Sequence, residues 1–157
     1  MIKINLIAVG RIKEKYFSEG IEEYQKRLGR FCDFTITEIP EENYKKVDDS
    51  IIETIKKVEG EKITKALKGY VIITDIGGEK ISSEKLAKLI DNLSVSGKGQ
   101  ISIVIGGSYG LSEEVKKKAD KKISFSDMTF PHTLFRLMLT EQIYRAFCIL
   151  EGNPYHK

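Results

Sequence analysis

Metal and disulfide chemistry have almost nothing to work with in this sequence. Its two cysteines, Cys32 and Cys148, lie far apart with no metal-type spacing. They read as buried, reduced thiols rather than as a bridge or a ligand pair. The two histidines, His132 and His156, both fall late, and neither stands in a His-Glu-x-x-His pattern. A Ser-His-Asp order and a carboxylate cluster are missing as well, so a hydrolase or a metalloenzyme is poorly supported, and no metal is expected. No apolar run reaches the length of about 20 residues that a membrane-spanning helix needs. The apolar stretch from Ile2 to Val9 is too short for a secretory leader, and the expectation is a cytoplasmic protein. Net charge is only +3, so composition alone does not announce a nucleic-acid binder. The basic runs Lys116 to Lys118, Lys121–Lys122, and Arg11, Lys13 and Lys15 read first as solvated faces. Internal repeats, low-complexity segments and a domain boundary are absent too.

What is present fits one soluble α/β domain over residues 1–157, with 41% hydrophobic and 31% charged residues. Ile2 to Val9 reads as a first strand, apolar enough for a sheet covered on both faces. Phe17, Ile21, Tyr24 and Leu28 recur at helical steps, predicting a helix from Glu14 to Leu28 that Gly29 stops. A second strand follows over Phe34 to Ile39, closed by Pro40. Asp48 or Asp49 caps a helix reaching Lys68, with Ile51, Ile55, Val58, Ile63 and Leu67 inward and Gly60 interrupting the pattern. Tyr70 to Asp75 is a third strand, ended by Gly77-Gly78. Ser82 or Ser83 caps the next helix, with Leu86, Leu89 and Ile90 inward. The remaining elements are a strand over Ile101 to Ile105, a helix over Ser112 to Ala119, a short strand over Lys122 to Phe125, and a last helix from about Thr133 to Glu151. This alternation argues for a mostly parallel sheet flanked by helices.

Three late segments carry the chemistry. Gly106-Gly-Ser-Tyr-Gly110 lies between a strand and a helix, where doubly wound folds bind nucleotides. Its glycine spacing fits neither a dinucleotide fingerprint nor a P-loop. Read by itself it is a tight reversal, or a backbone wall that a flat ligand can approach. Asp75-Ile-Gly-Gly78 repeats the arrangement at the preceding strand end, which makes a shared crevice more credible. Ser124 to His132 offers backbone amides and a Met/Phe face suited to an adenine base. The last helix is apolar around most of its circumference, so a partner subunit is a natural source of cover. Glu141 and Arg145 form an i,i+4 pair in its middle. Tyr155-His156-Lys157 joins a stacking ring, a near-neutral titrating group and a cation, which a flipped RNA base and its phosphate would ask for.

Taken together, Val104-Ile-Gly-Gly-Ser-x-Gly110, Ser124-x-Ser-x-Met-Thr-x-Pro-His132, Glu141-Gln-x-Tyr-Arg-Ala146 and Tyr155-His-Lys157 resemble the SPOUT-class RNA methyltransferases. Within that class the chain resembles the RlmH family of large-subunit (23S) ribosomal RNA pseudouridine N3-methyltransferases, over its whole length. The resemblance implies an α/β knot fold with a C-terminal trefoil knot, contrary to the general rule that chains are unknotted. It implies a homodimer, S-adenosylmethionine as cofactor, and the assembled ribosome, through its large-subunit rRNA, as partner. Cofactor contacts carry over to Thr74, Gly106, Phe125, Ser126, Asp127, Met128, Thr129 and Phe130. Thr74 departs from the apolar Leu common in the family, replacing an apolar cofactor contact with a hydroxyl. The catalytic group carries over as His156, Tyr155 and Arg145, with one subunit's tail serving the other's cofactor. His156 would assist loss of the N3 proton or orient the base, Tyr155 would stack, and Arg145 would hold the nucleotide. The alternatives are a non-catalytic ribosome-binding factor of the same fold, which would not bind S-adenosylmethionine, and a flavodoxin-like small-molecule enzyme, which would ignore ribosomes.

Overall fold

The computed structural model of the chain describes residues 1–157. Ten elements alternate along it: β1 (Lys3–Val9), α1 (Lys15–Leu28), β2 (Asp33–Ile39), α2 (Asp49–Ala66), β3 (Tyr70–Lys80), α3 (Ser83–Val95), β4 (Gln100–Ile105), α4 (Glu113–Lys118), β5 (Lys121–Ser124) and α5 (His132–Leu150). The five strands form one sheet in the order β2-β1-β4-β3-β5, and every pairing is parallel. Parallel strands need both faces covered, which is why Ile101 to Ile105 of β4 can be buried without a break. On one face Ile4, Leu6, Ile72 and Ile103 pack with Leu86 and Ile90 of α3 and Leu139 and Ile143 of α5. On the other face Ile7, Val9, Ile73 and Val104 meet Ile63 of α2 and Val115 of α4. Each of these fully buried aliphatic side chains stabilises the fold by about 1.5–3 kcal/mol. No helix is long and apolar enough to cross a membrane. Both cysteines are free and buried, and burial pushes the Cys32 thiol pKa up to about 12.

Local chemistry chooses the boundaries that the sequence left open. Asp48 caps α2, its Oδ1 accepting from the Ile51 amide at 2.8 Å, and Ser82 caps α3 by accepting from Lys85 at 3.1 Å. Helix α2 runs straight through Gly60, because any Cβ there would stand 2.5 Å from Ser112 Oγ of the packed α4 N-terminus. Glu59 and Gly60 therefore take the buried place expected of Val58, which is only half-buried.

Two departures bear on the site. Gly77-Gly78 does not end β3, which runs on to Lys80 after a register shift between Thr74 and Glu79 and pairs with β5 on both sides of it. The shift frees Asp75 and Ile76 to face the carboxyl ends of the strands. Helix α5, expected to bury nearly all its apolar residues, leaves Leu134, Phe135, Leu137 and Met138 half-buried and buries Arg136 and Thr140 instead.

Candidate cofactor and acceptor site

The irregular middle of β3 and the loops following β4 and β5 converge on a cavity of about 550 Å³ beside the carboxyl ends of β4 and β5. In an open parallel sheet, that edge is where ligands bind. Thr74, Asp75 and Ile76 form one wall, Gly106 to Ser108 with Gly110 a second, and Phe125 to Phe130 with His132 a third. Of the two glycine turns expected to share a crevice, only Gly106 to Gly110 reaches it; Asp75 and Ile76 line the cavity, but Gly77 and Gly78 lie within β3 and do not. The reason for Gly106 and Gly107 is interior packing more than ligand approach. A Cβ on Gly106 would lie 3.0 Å from Leu111 Cγ, and one on Gly107 would lie 3.0 Å from Val9 Cγ1 and 3.1 Å from Glu59 Oε1.

The third wall owes its shape to short polar contacts and ring stacking. Ser124 Oγ donates to the Ser126 carbonyl at 3.0 Å, and Ser126 Oγ accepts from the Met128 amide at 3.0 Å. Phe125 and Phe130 pack on Phe135 with ring centroids 4.7 and 6.3 Å away. The amides of Asp127, Thr129 and Phe130 donate to no protein acceptor. Unpaired donors beside aromatic rings suit a heteroaromatic ligand with ring nitrogens. Of the eight residues carried over as cofactor contacts, seven line this cavity and Asp127 does not. Its carboxylate turns outward to pair with Lys80 and is 80% exposed. The Thr74 hydroxyl donates to the Val104 carbonyl at 2.8 Å, so its polar group is spent on the neighbouring strand.

His156, Tyr155 and Arg145 come together, but not in this cavity. The tail folds back onto α1, α3 and α5. Arg145 holds Glu141 with Nε and Nη2 at 2.8 and 3.2 Å, lies 4.8 Å from the Tyr155 ring centroid, and places Nη1 3.2 Å from His156 Nδ1. The Glu141 carboxylate raises the Arg145 pKa further, so the guanidinium stays charged. Its N–H groups can only donate, which makes His156 Nδ1 the acceptor and leaves Nε2–H to donate to Glu84 Oε1 at 2.8 Å. That bond lowers the Glu84 pKa below the ordinary carboxylate value. Tyr155 meets the Tyr24 hydroxyl at 3.3 Å, and burial raises its pKa. A second cavity of about 620 Å³ opens between α1, α3 and α5, bordered by Tyr24 and Glu141. It shares Phe125 and Phe130 with the first, so those two rings separate the two spaces.

Several participants are absent from the cofactor and catalytic residues that the resemblance implied. His132 lines the first cavity. Beneath it Arg136, 4% exposed, donates to Glu38 at 2.5 Å and to the Gly10 carbonyl at 3.0 Å. An arginine flanked by Phe135 and Leu137 in an apolar helix was the available signal. Ser108 donates to Glu41 Oε1 at 3.1 Å, fastening the glycine turn to the β2–α2 connection. Glu59 lies under Gly107 at 3% exposure and accepts from the Glu42 amide at 3.2 Å. Burial raises its pKa, so the folded state favours its protonated form. Stability from this group is therefore full below the unfolded carboxylate pKa of about 4.3 and falls as pH rises through the folded value. Glu59→Gln keeps the acceptor and is expected to raise the melting temperature at neutral pH. The gain should vanish in melts run near pH 4.

No group of three or more His, Cys, Asp or Glu side chains could hold a metal ion. A family model described as "Predicted SPOUT methyltransferase" matches residues 2–156. The chain is 47% identical over 159 residues to the "Ribosomal RNA large subunit methyltransferase H" of Clostridium kluyveri, covering 99% of this chain and 100% of that protein. It is 49% identical over 162 residues to the Clostridium perfringens protein named "Ribosomal RNA large subunit methyltransferase H 1", again over 99% and 100%. Among solved structures, a probable methylase family protein from Haemophilus influenzae Rd KW20 aligns with a TM-score of 0.53. That match has 16% identity over 99% of this chain and 70% of that one, and shows likeness of fold alone. A parallel sheet with three segments gathered at its carboxyl edge, together with full-length identity near one half, establishes that the chain belongs to the SPOUT methyltransferases and, within them, to the RlmH family.

Proposed function

We propose that this protein transfers a methyl group from S-adenosylmethionine to N3 of a pseudouridine in large-subunit (23S) ribosomal RNA. It acts on assembled ribosomes, in the cytoplasm, as a homodimer of one-domain subunits whose segment after β5 is threaded as a trefoil knot. The observation that carries the reading is the 550 Å³ cavity with its unpaired loop amides and aromatic wall. Its volume and lining fit a nucleoside-sized cofactor. Thr74, Gly106, Phe125, Ser126, Met128, Thr129 and Phe130 would hold S-adenosylmethionine there, with Asp127 bracing the loop through Lys80. Bound so, the cofactor would supply an electrophilic methyl carbon whose leaving group is a neutral thioether.

The protein's own residues supply position and proton transfer. N3 is a weakly acidic imide that must shed its proton before or during attack. His156 is its acceptor or orienting group, Tyr155 stacks on the base, and Arg145 holds the nucleotide. Both ring nitrogens of His156 are engaged in the docked tail, one by Arg145 and one by Glu84. Its Nδ1 must leave Arg145 before His156 can take a proton, because Nε2 already carries one. Because none of the three lines its own chain's cofactor cavity, the tail serves the cavity of the other subunit. The half-buried Leu134, Leu137 and Met138 of α5 supply apolar surface for that pairing.

The test is transfer of radiolabelled methyl from S-adenosylmethionine to ribosomes lacking the modification, with naked ribosomal RNA alongside. Label in the large-subunit RNA of ribosomes only is the expected result. Cofactor binding without label moves the substrate elsewhere, and neither binding nor label leaves a non-catalytic ribosome-binding factor.

A further inference from the structure

The sheet's lower half is bare on one face. A parallel sheet ordinarily carries helices over both faces. Here α2 crosses only the carboxyl half, where Ile7, Val9, Ile39 and Val104 are buried beside Ile63. Toward the amino-terminal edge the same face changes chemistry. Lys3 stands beside Asp33 and Gln100, and Asn5 beside Thr35 and Ser102, in adjacent strands. With Lys65 at the end of α2 and Lys68 just beyond it, these side chains line a groove of about 460 Å³.

The groove is built rather than merely exposed. Ser102 is fully buried at its floor, donating to the Lys68 carbonyl at 2.7 Å and accepting from the Lys68 amide at 2.9 Å, which anchors the chain that carries Lys68. Asn5 Oδ1 accepts from both Thr35 and Thr37, at 3.1 and 3.0 Å. That commits both hydroxyl protons inward, leaves lone pairs facing out, and leaves the Asn5 side-chain N–H groups without a protein acceptor. Lys3, Lys65 and Lys68 lie within 4.0 Å of no carboxylate, although Asp33 is in the neighbouring strand.

We propose that this groove is a second RNA-binding site that grips the ribose–phosphate backbone of the substrate. The three lysines and the free amide of Asn5 donate to phosphate oxygens. The outward lone pairs of Thr35 and Thr37 accept from ribose 2′-hydroxyls, a group that DNA lacks. The inference rests on the proposed RNA substrate and extends it. Ser102 lines the groove and Ile105 the cofactor cavity, so along β4 their nearest lining residues are three steps, roughly 10 Å, apart. Backbone contacts at that distance position a large substrate without reading its bases, and they let a chain of net charge +3 concentrate its attraction at one place.

The test compares the wild type, the triple variant Lys3→Gln/Lys65→Gln/Lys68→Gln, and Asp33→Asn. Binding to unmodified ribosomes is titrated at several salt concentrations, and turnover is measured at saturating ribosomes. Each phosphate contact contributes about 0.7–0.9 to the slope of log affinity against log salt. The triple variant should bind at least about tenfold more weakly near physiological salt, with a slope smaller by about 2. Its S-adenosylmethionine affinity and its turnover at saturation should stay unchanged. Asp33→Asn, which removes the one carboxylate lining the groove, should bind more tightly. Unchanged affinity and slope in both variants, with wild-type ribosome binding intact, overturn the groove and leave the methyltransferase reading standing. If the wild type itself neither binds nor methylates ribosomes, both fall together. Equal binding of a DNA of the same length overturns the assignment to ribose hydroxyls.

Discussion

Arg145→Ala is expected to lower single-turnover methyl transfer to ribosomes about 100-fold while leaving S-adenosylmethionine affinity within about twofold. Arg145 lies outside the cofactor cavity, which is why cofactor binding should be indifferent to it. Three residues meet on its guanidinium: Glu141 through two hydrogen bonds, His156 through one, and the face of Tyr155. Removing it leaves the Glu141 carboxylate, which is largely buried, without its cation and releases both tail residues at once. A catalytic group displaced by about 1 Å is sufficient for a hundredfold loss, and a released tail moves further. Arg145→Lys should recover little, because an ammonium cannot donate in a fork to Glu141 while also reaching His156 and lying flat on a ring. Wild-type transfer by Arg145→Ala would remove the tail from the mechanism. Full recovery by Arg145→Lys would mean that charge alone, not the fork, is needed.

Gly78→Ala should lower stability by about 2–3 kcal/mol, the usual cost of forcing atoms into a filled space. For a chain of this size that is a fall of roughly 5–10 °C in melting temperature. A Cβ on Gly78 would stand 2.7 Å from the carbonyl carbon and 2.8 Å from the amide nitrogen of Ile123, and main chain cannot rotate aside as a side chain would. Relief requires β5 to move away from β3, and β5 leads directly into the Phe125 to Phe130 loop. Cofactor affinity should therefore fall at least about tenfold even at temperatures where the variant is folded, since misplacement of a binding loop loses its contacts together. Calorimetric titration at a temperature well below the melt separates the two effects. Undiminished affinity in a destabilised but folded variant would show that β3 and β5 can part without moving that loop.

How much of this was legible beforehand depends on how local each feature is. The strand–helix alternation, the start of α4 at Ser112 and the end of α1 at Leu28 follow from periodicity and capping, which act within a few residues. The extension of β3 past Gly77-Gly78 was not legible, because a strand's length there is set by β5, which arrives more than 40 residues later. Asp127 was carried over with its neighbours as a cofactor contact, yet Lys80, distant in sequence, draws its side chain outward. Glu59 lies outside the inward set that periodicity gave, and it is buried because α2 packs onto the Gly107 turn. Glu84 is a first-turn acid of α3, and no local pattern connects it to the penultimate histidine that it meets.

The sequence by itself determined the class of fold, the four motifs and the family they resemble. Hydrophobic period, turn chemistry and motif composition are properties of neighbouring residues and need no third dimension. Only the tertiary structure decided that Thr74 spends its hydroxyl on β4, that the tail docks through Arg145 and Glu84 away from its own chain's cofactor cavity, and that a polar groove interrupts the cover of the sheet. Each of those depends on which partner reaches a polar group first. That is settled by distances between segments far apart in the chain, and no local pattern encodes them.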